Sequence, residues 1–319
     1  MTAAKAELIA DGGEAASDDQ FFRSRPFLEA EGATHTLRID AEGAELLAPL
    51  VVREIEGTGE RDAVSPYGYP GFAYSPVLSS GITTERNRRI DPTSIDFSAT
   101  GLVSIFIRHV LGPSPLAGAT ERNIVQIADP ELPAKSRPSD RRQVRRNLEA
   151  GYELDLVPGP ETTAQQRAAF LVAYEQTMRR TEAADHYFFG AAYFDRILEA
   201  DRTWLALATA PDGEVAAASI AAVSDGYLHY YLSGSSDAHL RDSPMKNVVT
   251  LLVDHSHDLG LPLNLGGGIT AGDALEEFKR GFANRQKAWL SSELICDPEK
   301  YSELSAGRET GGYFPAYRA

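Results

Sequence analysis

The sequence predicts an α/β chain of two consecutive domains, each built on a mixed central sheet. Three observations carry this. The chain has 319 residues, which at roughly 100–200 residues per domain makes about two domains. Hydrophobic residues make 43% of it and charged residues 24%, ordinary values for a globular protein with a real core. Segments of period-two alternation and of helical spacing follow one another along the chain, most regularly in its second half.

The elements read as follows. MTAAKAELIADGGEAASDD has neither a basic start nor an apolar stretch, so it is no signal peptide. It reads as a flexible acidic lead-in over residues 1–18. Residues 20–31 predict a short helix that opens a first domain over 19–140. ATHTLRIDA and AELLAPLVVREIEG alternate like half-buried strands and form a hairpin. DAVSPYGYPGFAY, rich in Gly, Pro and Tyr, predicts a loop that exposes its aromatics. GLVSIFIRH and RNIVQIAD are apolar strands.

A second domain is expected over 141–302. An arginine-rich helix over about 140–150 is capped by Ser139 or Asp140 and stopped at Gly151. A helix over 163–181 carries Phe170, Leu171, Tyr174 and Met178 along one side. TWLALAT, VAAASIAAVS and YLHYYLSG are three strands joined by Asp-Gly turns. A helix over about 244–259 follows, then LPLNL ending in Gly266-Gly267-Gly268, a short helix over about 274–280, and the strand QKAWLSSELI. Residues 303–319 read as a polar tail.

Charge narrows the function. The net charge is −15, which repels nucleic acid and anionic membranes at long range. Binding to RNA would need a local basic patch. Arg137, Arg141, Arg142, Arg145 and Arg146 supply one, with two i,i+4 arginine pairs on one helix. That helix is either a solvated face or an anion site. No stretch reaches the roughly 18–20 apolar residues of a membrane helix. The single Cys296 excludes an intrachain disulfide and fits a reducing cytoplasm. No metal motif stands out: His255 and His257 are i,i+2 on a helix and do not face each other.

The order helix, helix, three strands, helix, strand, helix, strand in the second half matches the single-domain N-acetyltransferase (GNAT) architecture. The first half resembles a worn copy of it. Three stretches resemble the FemAB family of aminoacyl-tRNA-dependent transferases, which build peptidoglycan cross-bridges. They are DAVSPYGYPGF, YEQTMRRTEAADHYFF, and the long run from YYLSGSS through LNLGGG to EEFKRGF. The resemblance implies two tandem GNAT-like acyltransferase domains with mixed central sheets, in a compact form without a coiled-coil arm. It implies transfer of an amino acid from aminoacyl-tRNA, a co-substrate, to an amine of a nucleotide-linked muropeptide. Similar compact proteins extend peptidyl natural products, so either acceptor class is expected, with no other cofactor.

Site residues follow from residues and resemblance together. Asp273 predicts an N-cap with Glu276 completing a capping box, and Gly281 the stop. Leu275 and Lys279 are i,i+4, which places Lys279 at the edge of an apolar face beside Phe278. The resemblance gives Lys279 the task of stabilising the oxyanion of ester aminolysis, with Phe278 shaping the site. It gives Arg180 a phosphate-binding role, with Arg179 an alternative register. Gly267 and Gly268 give either close backbone approach to a ligand or a plain turn. Tyr67 and Tyr69 are expected either to stack on a base, sugar or peptide or to pack between the two domains, and Arg108, which ends an apolar strand, is expected to point into the cleft. Arg141, Arg142, Arg145 and Arg146 are the expected tRNA contact. Residues 237–246 lack the glycine turn that holds coenzyme A, and Pro244 removes a donor. An acyl-CoA-dependent N-acyltransferase and a non-catalytic peptide-binding relative are the competing readings.

Overall fold

A computed structural model describes residues 4–41, 44–74, 89–270, 272–308 and 311–319. It divides into two compact units, each mixed α/β. Unit 1 comprises Met1–Ser17, Glu31–Arg122 and Trp289–Ala319, and unit 2 comprises Asp18–Ala30 and Asn123–Ala288. The division differs from a single cut after residue 140, because each unit takes in a segment from elsewhere in the chain.

In unit 1 the strands are β1 (Ala4–Ile9), β2 (His35–Ala41), β3 (Ala44–Ile55), β4 (Glu60–Val64), β5 (Ala73–Tyr74), β6 (Ile95–Asp96) and β7 (Ser104–Arg108). β1 to β4 pair antiparallel in sequence order. β4 then runs parallel to β7 through Ala63↔Ile105 and Val64↔Phe106. Residues 291–295 complete the sheet antiparallel to β7. Alternation turns Leu37, Ile39, Ile105 and Ile107 inward, and all four are buried.

Described segments near both ends of the chain are built into this unit. Ala4–Ile9 is a paired strand, not a flexible lead-in; its Ala-Lys-Ala-Glu start places Ala4 and Ala6 in the core. The tail is likewise no free polar segment. Residues 298–305 form a helix, and the chain then returns to Asp62. That carboxylate is fully buried and accepts from Arg318 Nε at 2.6 Å, Arg53 Nε at 2.9 Å and the Tyr317 hydroxyl at 3.2 Å. A buried carboxylate needs such compensation, which is why the last residues are ordered. Asp62 therefore belongs to β4 rather than to an exposed loop, and Tyr67 and Tyr69 beyond it are half-buried.

In unit 2 the helices are α1 (Arg25–Ala30), α2 (Pro138–Glu149), α3 (Ala164–Arg180), α4 (Ala191–Ile197), α5 (Met245–Leu259) and α6 (Ala274–Arg280). The strands are β8 (Thr120–Ala128), β9 (Glu153–Pro158), β10 (Thr203–Thr209), β11 (Val215–Ser224), β12 (Tyr227–Ser235), β13 (Leu263–Gly266) and β14 (Arg285–Ile295), the last spanning into unit 1. β9 to β12 pair antiparallel, β12 runs parallel to β13, and β13 pairs antiparallel with β8. The two units thus repeat one strand plan: four antiparallel strands, a parallel neighbour, then an antiparallel strand. The helix α1 does not open the first unit. Phe21, Phe22 and Phe27 bury themselves around Tyr231 of β12, with ring centroids 5.3–6.2 Å from it, and this aromatic burial assigns the segment to unit 2.

Two packing features position the candidate site. α5 lays Val248, Val249 and Leu252 on a strand face made largely of alanines, including Ala206, Ala208, Ala217 and Ala221. α3 packs against β11 and β12 through Phe170, Ala173 and Tyr174. At Gly234 any Cβ would overlap the Ala173 backbone, so helix and strand meet there only because the residue is glycine. The register of β12 against β11 shifts between Ile220 and Ala221, a bulge. β12 then pairs with β13 at Leu228↔Leu263 and His229↔Asn264 only, although it continues to Ser235. The two parallel strands part beyond that point, and bulges of this kind recur beside active sites.

Candidate active site

Lys279 lies on α6, directly after β13. Asp273 caps this helix as expected: Oδ1 accepts from Glu276 N at 2.7 Å, and Oδ2 accepts from Ile269 N at 2.6 Å and Thr270 N at 3.0 Å. These backbone donors, Glu276 first, hold the Asp273 carboxyl below its ordinary range. The reciprocal half of the capping box is different. Glu276 Oε2 accepts from Gly272 N at 2.7 Å, one residue before the cap, and its other oxygen pairs with Arg280. Gly281 follows as the C-cap, in a right-handed conformation.

The burial of α6 reverses the expected face. Leu275 is 40% exposed, whereas Lys279 is 8% exposed and Glu276 is buried with it. Lys279 is thus buried without Leu275 beside it, although i,i+4 spacing puts the two on one side of the helix. Phe278 packs with Phe282, ring centroids 5.5 Å apart, against the helix–sheet core. Lys279 Nζ donates to the Gly267 carbonyl at 2.6 Å. Burial pulls its ammonium down from 10.5 to about 8, with Asp273 pushing weakly the other way. The result is a fixed, desolvated cation at the end of β13.

The glycine run makes room for this cation. Gly266 has φ +76°, and a Cβ there would lie 3.1 Å from Lys279 Nζ. A Cβ at Gly267 would collide with Asn123, and one at Gly268 with Asp273. The space above Gly267 and Gly268 is therefore filled by the chain's own side chains, and Asn123 Nδ2 donates to the Gly268 carbonyl at 2.9 Å.

Sequence reasoning missed the residues behind Lys279. Gln126, fully buried on β8, accepts from Gln286 Nε2 at 3.2 Å and reaches Glu276 Oε1 at 3.4 Å. A lone glutamine in the apolar run Ile124-Val125-Gln126-Ile127 was the available signal. Asn264 and His229 form a second buried polar pair at 3.0 Å, and burial lowers the His229 imidazole to about 4, so it stays neutral.

The other expected residues are placed as follows. In unit 1, Arg108 and Tyr67 are together: the guanidinium lies 5.9 Å from the Tyr67 ring and 5.2 Å from Phe106, and Nη1 donates to Ser65 O at 2.8 Å. Tyr69 meets Trp289 edge to face at 5.9 Å. In unit 2, Arg180 pairs with Asp237 and donates to Thr177 Oγ1 at 3.0 Å, which fastens α3 to the segment after β12. Arg179 pairs with Glu175 of its own helix at 2.6 Å. Arg141, Arg142, Arg145 and Arg146 are all exposed. Their helix begins at Pro138 with Arg137 as the N-cap residue, so neither Ser139 nor Asp140 caps it; Asp140 turns inward to Lys246 at 2.9 Å. Gly151 follows with φ +96°, as its stop role requires.

At the start of α5, Lys246 N and Asn247 N bond to Ser243 O and Pro244 O at 3.1 and 2.9 Å, and Val248 N bonds to Pro244 O at 3.3 Å. The first-turn N–H groups of Lys246, Asn247 and Val248 are thus engaged.

Comparison with known proteins places this geometry. Residues 134–280 match the family described as acetyltransferase (GNAT) domain. Among solved structures, FemX is similar with a TM-score of 0.60 and 10% identity, over 88% of this chain and 93% of that one. The C-terminal DUF2156 domain of an Agrobacterium fabrum protein gives 0.56 at 14% identity, over 91% and 93%. L-PGS from Bacillus licheniformis gives 0.53 at 12% identity, over 85% and 87%. No curated protein sequence matches the chain. The fold is a GNAT-type acyltransferase fold, shared with FemX over most of both chains. Among the described residues no helix is long and apolar enough to cross a membrane.

Proposed function

We propose that this chain is an aminoacyltransferase of the cytoplasm that forms an amide bond. It takes an amino acid from the ester of aminoacyl-tRNA and passes it to an amine of a peptide, either a nucleotide-linked muropeptide or a peptidyl natural product. The observation that carries this reading is Lys279, a buried ammonium held 2.6 Å from the Gly267 carbonyl where β12 and β13 part.

The chemistry needs little else. The acceptor amine attacks the ester carbonyl, the new C–N bond forms, and negative charge collects on the carbonyl oxygen. A preorganised cation in a water-poor setting stabilises that oxyanion. The ester C–O bond then breaks, and the proton lost by the amine ends on the released ribose hydroxyl. No protein nucleophile is required, because the donor is already activated. With its ammonium near 8, Lys279 is mostly charged at neutral pH.

The donor is supported by the FemAB-like motifs, by the fold shared with FemX, and by the exposed arginines of α2 on an otherwise acidic chain. A donor gripped chiefly at its aminoacyl end relaxes the objection from net charge. The start of α5, with Pro244 and engaged first-turn donors, is a poor cradle for a pyrophosphate. The GNAT match over 134–280 favours a second reading, acyl-CoA-dependent N-acylation.

The test supplies purified protein with labelled charged tRNA or labelled acetyl-CoA, and with a panel of muropeptide and small-peptide acceptors. RNase-sensitive transfer to an acceptor amine is expected. Transfer from acetyl-CoA alone, together with a raised Tm in its presence, would establish the second reading. Silence from both donors with retained peptide binding would favour a non-catalytic relative.

A further inference from the structure

The turn between β10 and β11 and the segment after β12 bring three metal-ligating side chains of unit 2 together. Asp212 and Glu214 flank Gly213, whose φ of +87° lets the turn close. His239 lies on the 3₁₀ stretch Asp237–Asp242. One ligand atom from each of the three lies within 4.8 Å of the others. His239 Nε2 is 3.3 Å from Asp212 Oδ2 and 3.6 Å from Glu214 Oε2.

The partners around this imidazole fix its place in the cluster. Tyr152 donates its hydroxyl proton to Asp242 Oδ2 at 2.8 Å. Its oxygen therefore turns a lone pair toward His239 Nδ1, 3.4 Å away. With Nδ1 facing that oxygen, Nε2 faces the two carboxylates. Nε2 is itself buried and makes no hydrogen bond, although both carboxylates are within reach. An imidazole nitrogen and two carboxylate oxygens thus converge on one small space, the geometry a bound cation would fill. The Tyr152–Asp242 pair behind the ring is the kind of outer partner that fixes the tautomer of a metal-bound histidine.

We propose that Asp212, Glu214 and His239 bind a divalent transition cation of the zinc class. One imidazole nitrogen and two carboxylate oxygens suit such an ion and leave a coordination position open. Glu214 and Gly213 also line a groove of about 620 Å³ with Thr163, Gln166 and Gln176 of the α3 side. The bound ion would tie the β10–β11 turn to the segment that leads from β12 into α5. The donors are 25 or more positions apart in the chain except for one pair, so no spacing motif announces them.

The experiment titrates Zn²⁺ and Co²⁺ into chelator-stripped full-length protein, by calorimetry and by cobalt absorption. One equivalent per chain is expected, with a rise in Tm on binding. Asp212→Asn with Glu214→Gln, both at exposed positions, should weaken binding at least about tenfold without lowering the Tm of the metal-free protein. Tyr152→Phe, which removes the outer partner, should cost about tenfold or more in affinity. No saturable binding would overturn the proposal and leave a histidine–carboxylate ion pair. Binding of unchanged affinity in the double variant or in His239→Ala would overturn it equally.

Discussion

Replacing Lys279 with methionine keeps the length of the side chain and removes its charge. Burial lowers the ammonium from 10.5 to about 8, and each unit corresponds to about 1.4 kcal/mol. Holding the charged form in the folded state therefore costs about 3 kcal/mol at pH 7. Against this, the variant loses the hydrogen bond to the Gly267 carbonyl, and a buried carbonyl left unpaired costs about 1–3 kcal/mol. The two effects nearly offset at pH 7, so a single stability value decides little. Their pH dependence differs. The folded-state value lies below the unfolded one, so between about 8 and 10.5 the unfolded chain binds more protons, and wild-type stability climbs with pH relative to the variant. Paired urea melts at pH 7 and 9 should show the wild type gaining about 1 kcal/mol on Lys279→Met. A difference that does not change with pH would mean that the folded protein does not desolvate this charge, and the argument from its burial would fail.

Other predictions rest on separate features. Changing Arg141, Arg142, Arg145 and Arg146 together to alanine should leave the Tm nearly unchanged, because all four are exposed. It should weaken tRNA binding in a filter assay and flatten its salt dependence by about one unit per lost phosphate contact. Deleting residues 316–319 removes Tyr317 and Arg318 from the buried Asp62 and should cost about 3 kcal/mol or more in denaturant melts. Gly234→Ala forces a methyl into the Ala173 backbone and should destabilise by about 1–3 kcal/mol on the same assay.

Much of unit 2 was legible in the sequence because its elements are long and strongly periodic. The Asp-Gly turns, the Asp273 cap and the stop at Gly151 are local signals, and local physics produced them. What was hidden depended on distant partners. Ala4–Ile9 reads as polar until β2 supplies a neighbour for it. The tail reads as polar until Asp62, more than 250 residues away, claims Arg318. The helix at Arg25 goes to unit 2 because Tyr231 gathers its phenylalanines.

Lys279 was singled out by motif, but which side of its helix is buried was not legible. Helical spacing tells which residues share a face; it does not tell which face is buried. On α6 the buried face holds Glu276 and Lys279 while Leu275 meets solvent. The glycine run was read as room for a ligand or a turn. It is room for Lys279, Asn123 and Asp273, a distinction visible only once the side chains are in place.

The most direct test of the central claim is single-turnover transfer, with the active donor bound at saturation, by wild type and Lys279→Met. Loss of a preorganised oxyanion donor should slow the chemical step by about 10²–10³-fold, with donor affinity nearly unchanged. The wild-type rate should also fall as pH rises through about 8, where the ammonium is lost, and the residual rate of the variant should not follow that fall. A variant within a few-fold of wild type, or a wild-type rate that rises through pH 8, would contradict a cationic role for Lys279.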